Sequence, residues 1–151
     1  MGKHFLHAKE NLRQKKYQEA LDVLALLKDE ELSNRENAEK YNLTGIIAFQ
    51  RNQYQNSKNS FIKAQTFDVE DQSFEGQLSL NVASAEYKLS QYEESFKRCL
   101  EIDVVQLKQQ DQIKLYLLMH ANGAGLMQLE KQYYAMLLLN SYATSEEEFA
   151  V

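Results

Sequence analysis

Lys16-Tyr17-Gln18-Glu19-Ala20 returns as Gln53-Tyr54-Gln55-Asn56-Ser57, then as Gln91-Tyr92-Glu93-Glu94-Ser95, then as Gln132-Tyr133-Tyr134-Ala135-Met136. The four tyrosines stand 37, 38 and 41 residues apart. Recurrence at a period between about twenty and fifty residues marks a repeat architecture, in which one supersecondary unit stacks on the next. Nine residues before each tyrosine come Ala8, Gly45, Ala83 and Ala124; three after it come Ala20, Ser57, Ser95 and Met136. All but Met136 are small, and small side chains let two helices approach closely where a hairpin closes.

The surrounding sequence is helix-forming. Proline is absent and only five glycines occur in 151 residues, so the turn chemistry of a sheet is missing. Alanine, leucine, glutamate, glutamine and lysine dominate, and all favour helix. Ser33 and Glu36 have capping-box spacing and predict a helix from Asn34. Tyr41, Ile47 and Ala48, with Leu43, Ile46 and Phe49 beside them, then form a wide apolar stripe at helical period. The same reading gives an all-α chain of eight helices in four antiparallel hairpins: residues 3–13 with 17–28, 34–50 with 54–67, 72–89 with 92–104, and 109–129 with 133–143. These fall into repeat units 1–32, 33–70, 71–108 and 109–145 of a single domain, 1–151. Ser145 and Glu148 form a second capping box around the acidic run Glu146-Glu147-Glu148. They predict either the opening of a further helix, as in a piece of a longer repeat protein, or a solvated tail.

Charge narrows the partners. The formal net charge is −5, which disfavours phosphate backbones and anionic membrane surfaces, so no nucleic acid is expected. The basic residues Lys3, Lys9, Arg13, Lys15 and Lys16 read as a solvated helix face. No apolar run approaches the ~20 residues of a bilayer span, so no direct membrane insertion is expected. The N-terminus lacks the pattern of a secretory signal, which predicts a cytoplasmic protein, with the periplasm open if a signal has been removed. Cys99 is the sole cysteine and excludes an internal disulfide or a cysteine metal cluster. Its position predicts a buried helix face.

Reactive constellations are scarce. His4, His7 and Glu10 share one helix face and could in principle hold a metal, against the plainer reading of an exposed first helix. His120 lies among Leu117, Leu118, Met119 and Ala121 and reads as a packed histidine. Gly123-Ala124-Gly125 lacks the strand and the remaining glycine of a phosphate-binding turn and reads as close helix packing. No nucleophile, base or metal set converges, so neither an enzyme nor a cofactor is expected.

The second unit carries Tyr41, Thr44-Gly45, Phe49, Tyr54, Ser57, Phe61 and Ala64; the third carries Asn81-Val82-Ala83, Ala85, Tyr87-Lys88, Tyr92, Ser95 and Phe96. In these residues the chain resembles the tetratricopeptide-repeat family. It departs from that pattern in its longer period against the family's ~34 residues, in lacking the unit-ending proline, and in Met136 and Asn140 of the fourth unit. The resemblance implies an α-solenoid, a right-handed superhelix whose first helices line a concave groove. Phe5, Lys9 and Leu12 would face that groove, then Glu39, Asn42, Ile46 and Phe49, then Gln77, Leu80, Ser84, Tyr87 and Lys88, then Leu118, Ala121 and Gln128. Ile46, Phe49, Leu80 and Tyr87 would anchor a bound protein or peptide, and Asn42, Gln77 and Gln128 would hydrogen-bond it. Ile46 and Leu80 could instead fill the core. The family's carboxylate-clamp positions carry Phe5, Lys9, Leu43, Gln77 and Asn81, too few of them basic to grip an acidic chain end. The function implied is a protein–protein interaction module. The alternatives are a structural spacer or homo-oligomerisation segment of a larger protein, or a small secretion-type chaperone.

Overall fold

Three of the four phrases open a helix at the tyrosine itself. The computed structural model describes residues 2–149, and among these the order is α1 (Gly2–Arg13), α2 (Tyr17–Ala25), α3 (Asn34–Gln50), α4 (Tyr54–Gln65), α5 (Gln72–Lys88), α6 (Tyr92–Glu101) and α7 (Gln109–Phe149). Short 3-10 turns at Asp29–Glu31 and Val104–Gln106 lead into α3 and α7, and no strand occurs among the described residues. The chain is all-helical, as expected. α1 packs on α2, α3 on α4 and α5 on α6; α2, α4 and α6 pack in turn on α3, α5 and α7.

Each of the three hairpins turns the same corner. Lys15, Asn52 and Ser90, two residues before the tyrosines, have left-handed φ angles of 59°, 61° and 61°. The next amide of each corner then reaches back to close the preceding helix: Lys16 to Asn11 (2.8 Å), Gln53 to Ala48 (2.8 Å) and Gln91 to Glu86 (2.9 Å). This is the Schellman arrangement, which satisfies carbonyls that a helix end leaves bare. Starts are fixed as locally as ends. The Ser33 hydroxyl accepts from the Glu36 amide while Glu36 accepts from the Ser33 amide, both at 3.2 Å. Asp71 caps α5 by accepting from the Phe74 amide at 3.1 Å.

The small residues sit where the hairpins close. Ser57 Oγ donates to the Gly45 carbonyl (2.8 Å) and Ser95 Oγ to the Ala83 carbonyl (2.7 Å), both fully buried. One helical turn after each phrase's small residue stand Leu24, Phe61 and Cys99. Leu24 shares a core cluster with Ala8, Cys99 shares one with Ala83, and Phe61 lies directly on Gly45. The tyrosines face the other way, toward the next hairpin: Tyr17 donates to Gln50 (3.2 Å), Lys88 sits over the Tyr54 ring, and Tyr92 packs against Gly125.

A buried carboxylate adds a polar tie. Glu86 on α5 is 1% exposed, paired with Arg98 of α6 (2.5 Å) and Lys58 of α4 (3.4 Å). Lys58 also donates to Gln91 at 2.8 Å.

The fourth hairpin does not form. Residues 130–132, expected to turn, lie inside α7, which runs unbroken from Gln109 to Phe149. Spacing explains this. The contacts of Gln50, Lys88 and Gly125 with the tyrosines set equivalent positions on α3, α5 and α7. By that register the fourth corner belongs at Met127, a full helical turn before the phrase. The tyrosine interval of 41 residues, against 37 and 38, is this extra turn. Residues 126–132 are Leu-Met-Gln-Leu-Glu-Lys-Gln, all good helix formers, and Met136 replaces the small closing residue, so nothing interrupts the helix. The helix start expected at Ser145 also falls inside α7.

Candidate functional site

The odd-numbered helices share a face with two adjacent hollows. Lys9 of α1, Arg35, Glu39, Asn42, Leu43 and Ile46 of α3, and Phe74 and Gln77 of α5 line the first, about 350 Å³. Phe49 of α3, Ser84, Tyr87 and Lys88 of α5, and Lys114, Leu117 and Leu118 of α7 line the second, about 300 Å³. No even-numbered helix contributes to either. A third hollow of about 270 Å³ lies elsewhere, between α5, α6 and the second 3-10 turn, lined mainly by polar groups such as Glu75, Arg98, Glu101 and Asp103.

Of the expected groove residues, Asn42, Ile46 and Gln77 meet in the first hollow, and Phe49, Ser84, Tyr87 and Lys88 in the second. Leu80 does not reach the face. It is 2% exposed in the core with Ala83, Cys99 and Leu115, and so is no anchor. Phe5 is likewise a core residue beside Ala8 and Leu24. Gln128 is exposed on α7 but lies outside both hollows, because the late phrase placed it one turn too far along. By the register of Gly125, Lys114 and Leu117 correspond to Gln77 and Leu80, and they are the residues the sequence reading missed. The signal was the long tyrosine interval.

Each hollow has its own chemistry. In the first, Arg35 stacks 4.7 Å from the Phe74 ring centre and pairs with Asp71 (2.8 Å) and Glu39 (3.4 Å). The hydrogen bond from Arg35 is the main cause holding the Asp71 carboxyl below its usual range. Asn42 is buried, and its side-chain carbonyl accepts from Asn81 at 2.9 Å, joining α3 to α5. In the second, Phe49 meets Tyr54 edge-on (5.2 Å between ring centres) and Tyr87 tilts against Tyr92 (5.6 Å). These half-buried aromatics are therefore braced by the phrase tyrosines behind them, which limits their motion. Lys88 and Lys114 bring two positive charges to a mostly apolar floor; no acid lines it, and Lys114 pairs with Asp111 outside it at 3.9 Å.

The reactive candidates stay dispersed. Burial, with Glu86 nearby, pushes the Cys99 thiol up to about 11, which suppresses the nucleophilic thiolate. His4 and His7 are exposed while Glu10 is held by Arg13 (2.8 Å) and Gln14 (2.6 Å). His120, read as packed, is exposed on α7. Among the described residues, no three histidines, cysteines or acids gather as a metal site, and no helix is long and apolar enough to cross a membrane. Compared with protein-family models and with curated proteins, the sequence finds no match.

Proposed function

We propose that this chain is a divergent tetratricopeptide-type solenoid, three hairpins followed by a long helix, that holds a segment of a partner protein along its odd-helix face. The observation that carries this reading is that both hollows are lined by α1, α3, α5 and α7 alone. A stack of hairpins with one helix layer inside leaves such a continuous concave surface. Capture is non-covalent, with no turnover and no cofactor. The second hollow takes an apolar side chain against Phe49, Tyr87 and Leu117, and a nearby carboxylate of the same segment meets Lys88 and Lys114. The first hollow supplies amide contacts from Gln77 and Asn42 beside the apolar surface of Ile46.

The test begins with peptide-display selection on the purified protein, followed by calorimetry of a selected peptide. Phe49→Ala combined with Tyr87→Ala should weaken binding at least about tenfold, the loss of one well-buried aromatic anchor or more. Gln106→Ala, in the polar hollow between α5, α6 and the second 3-10 turn, should leave it unchanged. Circular dichroism confirms that the double variant is folded. Selected peptides that bind the double variant as tightly as the parent would sink the proposal.

A further inference from the structure

Up to Gly125, α7 has one covered side and one open side; beyond it Leu129, Tyr133 and Met136, in line with the covered side, are 49–56% exposed as well. The helix rests on α5 and α6 through the buried Asp111, Leu115, Leu118 and Asn122, and through Gly125 under the Tyr92 ring. Opposite these stand Ile113, Tyr116, Met127, Tyr134 and Leu137, each 44–58% exposed. With His120, Gly123 and Glu130 they occupy positions 113, 116, 120, 123, 127, 130, 134 and 137, in steps alternating three and four. That is the heptad seam of a paired helix.

The same side of α3 is covered by α4 and α5. Asn37 on α3 and Gln112 on α7 both donate to carbonyls of the 3-10 turn that precedes their helix, which fixes the correspondence. Ala38 and Ala48 of α3 are 0% and 7% exposed; their counterparts on α7 are Ile113 and Gly123. Because α7 continues straight, residues 133–149 cannot fold back over it.

We propose that a second copy of this chain supplies the cover, the two α7 helices pairing antiparallel about a two-fold axis at Gly125. In that register Ile113 meets the other copy's Leu137, Tyr116 meets its Tyr134, His120 meets its Glu130 and Gly123 meets its Met127. Every level is complementary in kind: apolar with apolar, ring with ring, base with acid, and the side-chain-free position with the flexible thioether. Gly123 then has a reason it lacks in one copy, where a Cβ would meet nothing within 4 Å and glycine only weakens the helix. The seam is on the side of α7 away from α5 and α6, so the two bodies lie on opposite flanks of the helix pair. Its exposed apolar side chains amount to roughly 500 Å² per copy, matching the apolar share of an ~800 Å² homodimer face.

The test is mass by light scattering and sedimentation from about 1 to 100 μM. The parent should be a dimer. His120→Glu sets acid against Glu130 at both ends of the seam and should raise Kd at least about tenfold. Glu130→Lys should weaken it similarly. Mixing the two variants, or combining them in one chain, should restore the dimer. Both residues are exposed, and unchanged helicity by circular dichroism shows that each variant is folded. A monomer throughout, as for a chain that folds its own fourth hairpin or keeps this face for another protein, overturns the proposal. So does a dimer indifferent to both changes, or a mixture that stays monomeric.

Discussion

Replacing Gly45 by alanine in the middle of a helix should, by propensity alone, stabilise the protein by about 1 kcal/mol. Here the sign should reverse. A Cβ at Gly45 falls 2.5 and 2.6 Å from two ring carbons of Phe61. Ordinary carbon contacts lie near ~3.5–4.0 Å, so the ring must retreat by about 1 Å. Phe61 is 2% exposed and closely surrounded, and overpacking of this kind costs about 1–3 kcal/mol. The Ser57 hydrogen bond to the Gly45 carbonyl, 2.8 Å, would stretch as the helices part, a further loss of up to ~1 kcal/mol. The net expectation is destabilisation of roughly 1–2 kcal/mol. Phe61→Leu alone opens a cavity and should cost about 1–2 kcal/mol. Together the two changes place alanine and leucine at the positions that Ala8 and Leu24, members of one core cluster, hold in the first hairpin. The double variant should therefore recover about 1–2 kcal/mol relative to the sum of the singles. Urea unfolding followed by far-UV circular dichroism measures all four corners of the cycle. A stabilised Gly45→Ala, or singles that add within ~0.3 kcal/mol, would refute the idea that this contact sets the spacing of α3 and α4.

Glu86→Ala leaves Arg98 and Lys58 facing each other without their acid. Their 31% and 18% exposure softens the loss to about 2–3 kcal/mol, and a change under ~0.5 kcal/mol in the same denaturation assay would contradict a structural role for the pair. Tyr41 donates to Asp29 at 2.5 Å, and this bond is the main cause pushing its pKa up to about 12. A raised tyrosine pKa stabilises the fold fully below the unfolded value near ~10, and that contribution is lost as pH rises through 12. Ultraviolet titration should show a late-ionising tyrosine that disappears in Tyr41→Phe; an identical curve for the variant would count against the bond. The Cys99 thiol, 2% exposed with its pKa pushed up to about 11, should resist alkylation at neutral pH until denaturant is added. Rapid labelling of the native chain would place it at the surface.

What the sequence disclosed was what local chemistry controls. Ser33 with Glu36, and the tyrosines at 17, 54 and 92, marked helix starts that the structure keeps to the residue. The 3-10 turns were not legible, because they are held from outside themselves. Lys40 and Tyr41 of α3 bind Asp29, and the Gln112 amide of α7 donates to the Val104 carbonyl. Of the expected groove residues, Asn42, Ile46, Phe49, Gln77, Ser84, Tyr87 and Lys88 line the two hollows because two hairpins fix their own register. Leu80 was lost to the core because periodicity cannot separate a groove position from a neighbouring buried one, and Gln128 was lost to the longer tyrosine interval. The fourth phrase thus isolates what a hairpin needs. The tyrosine helps dock one pair on the next, but the corner comes from a left-handed residue at the right distance and a small residue to close on. Where Met136 replaces the small residue and one extra helical turn precedes Tyr133, the same letters continue a helix and leave its seam facing outward.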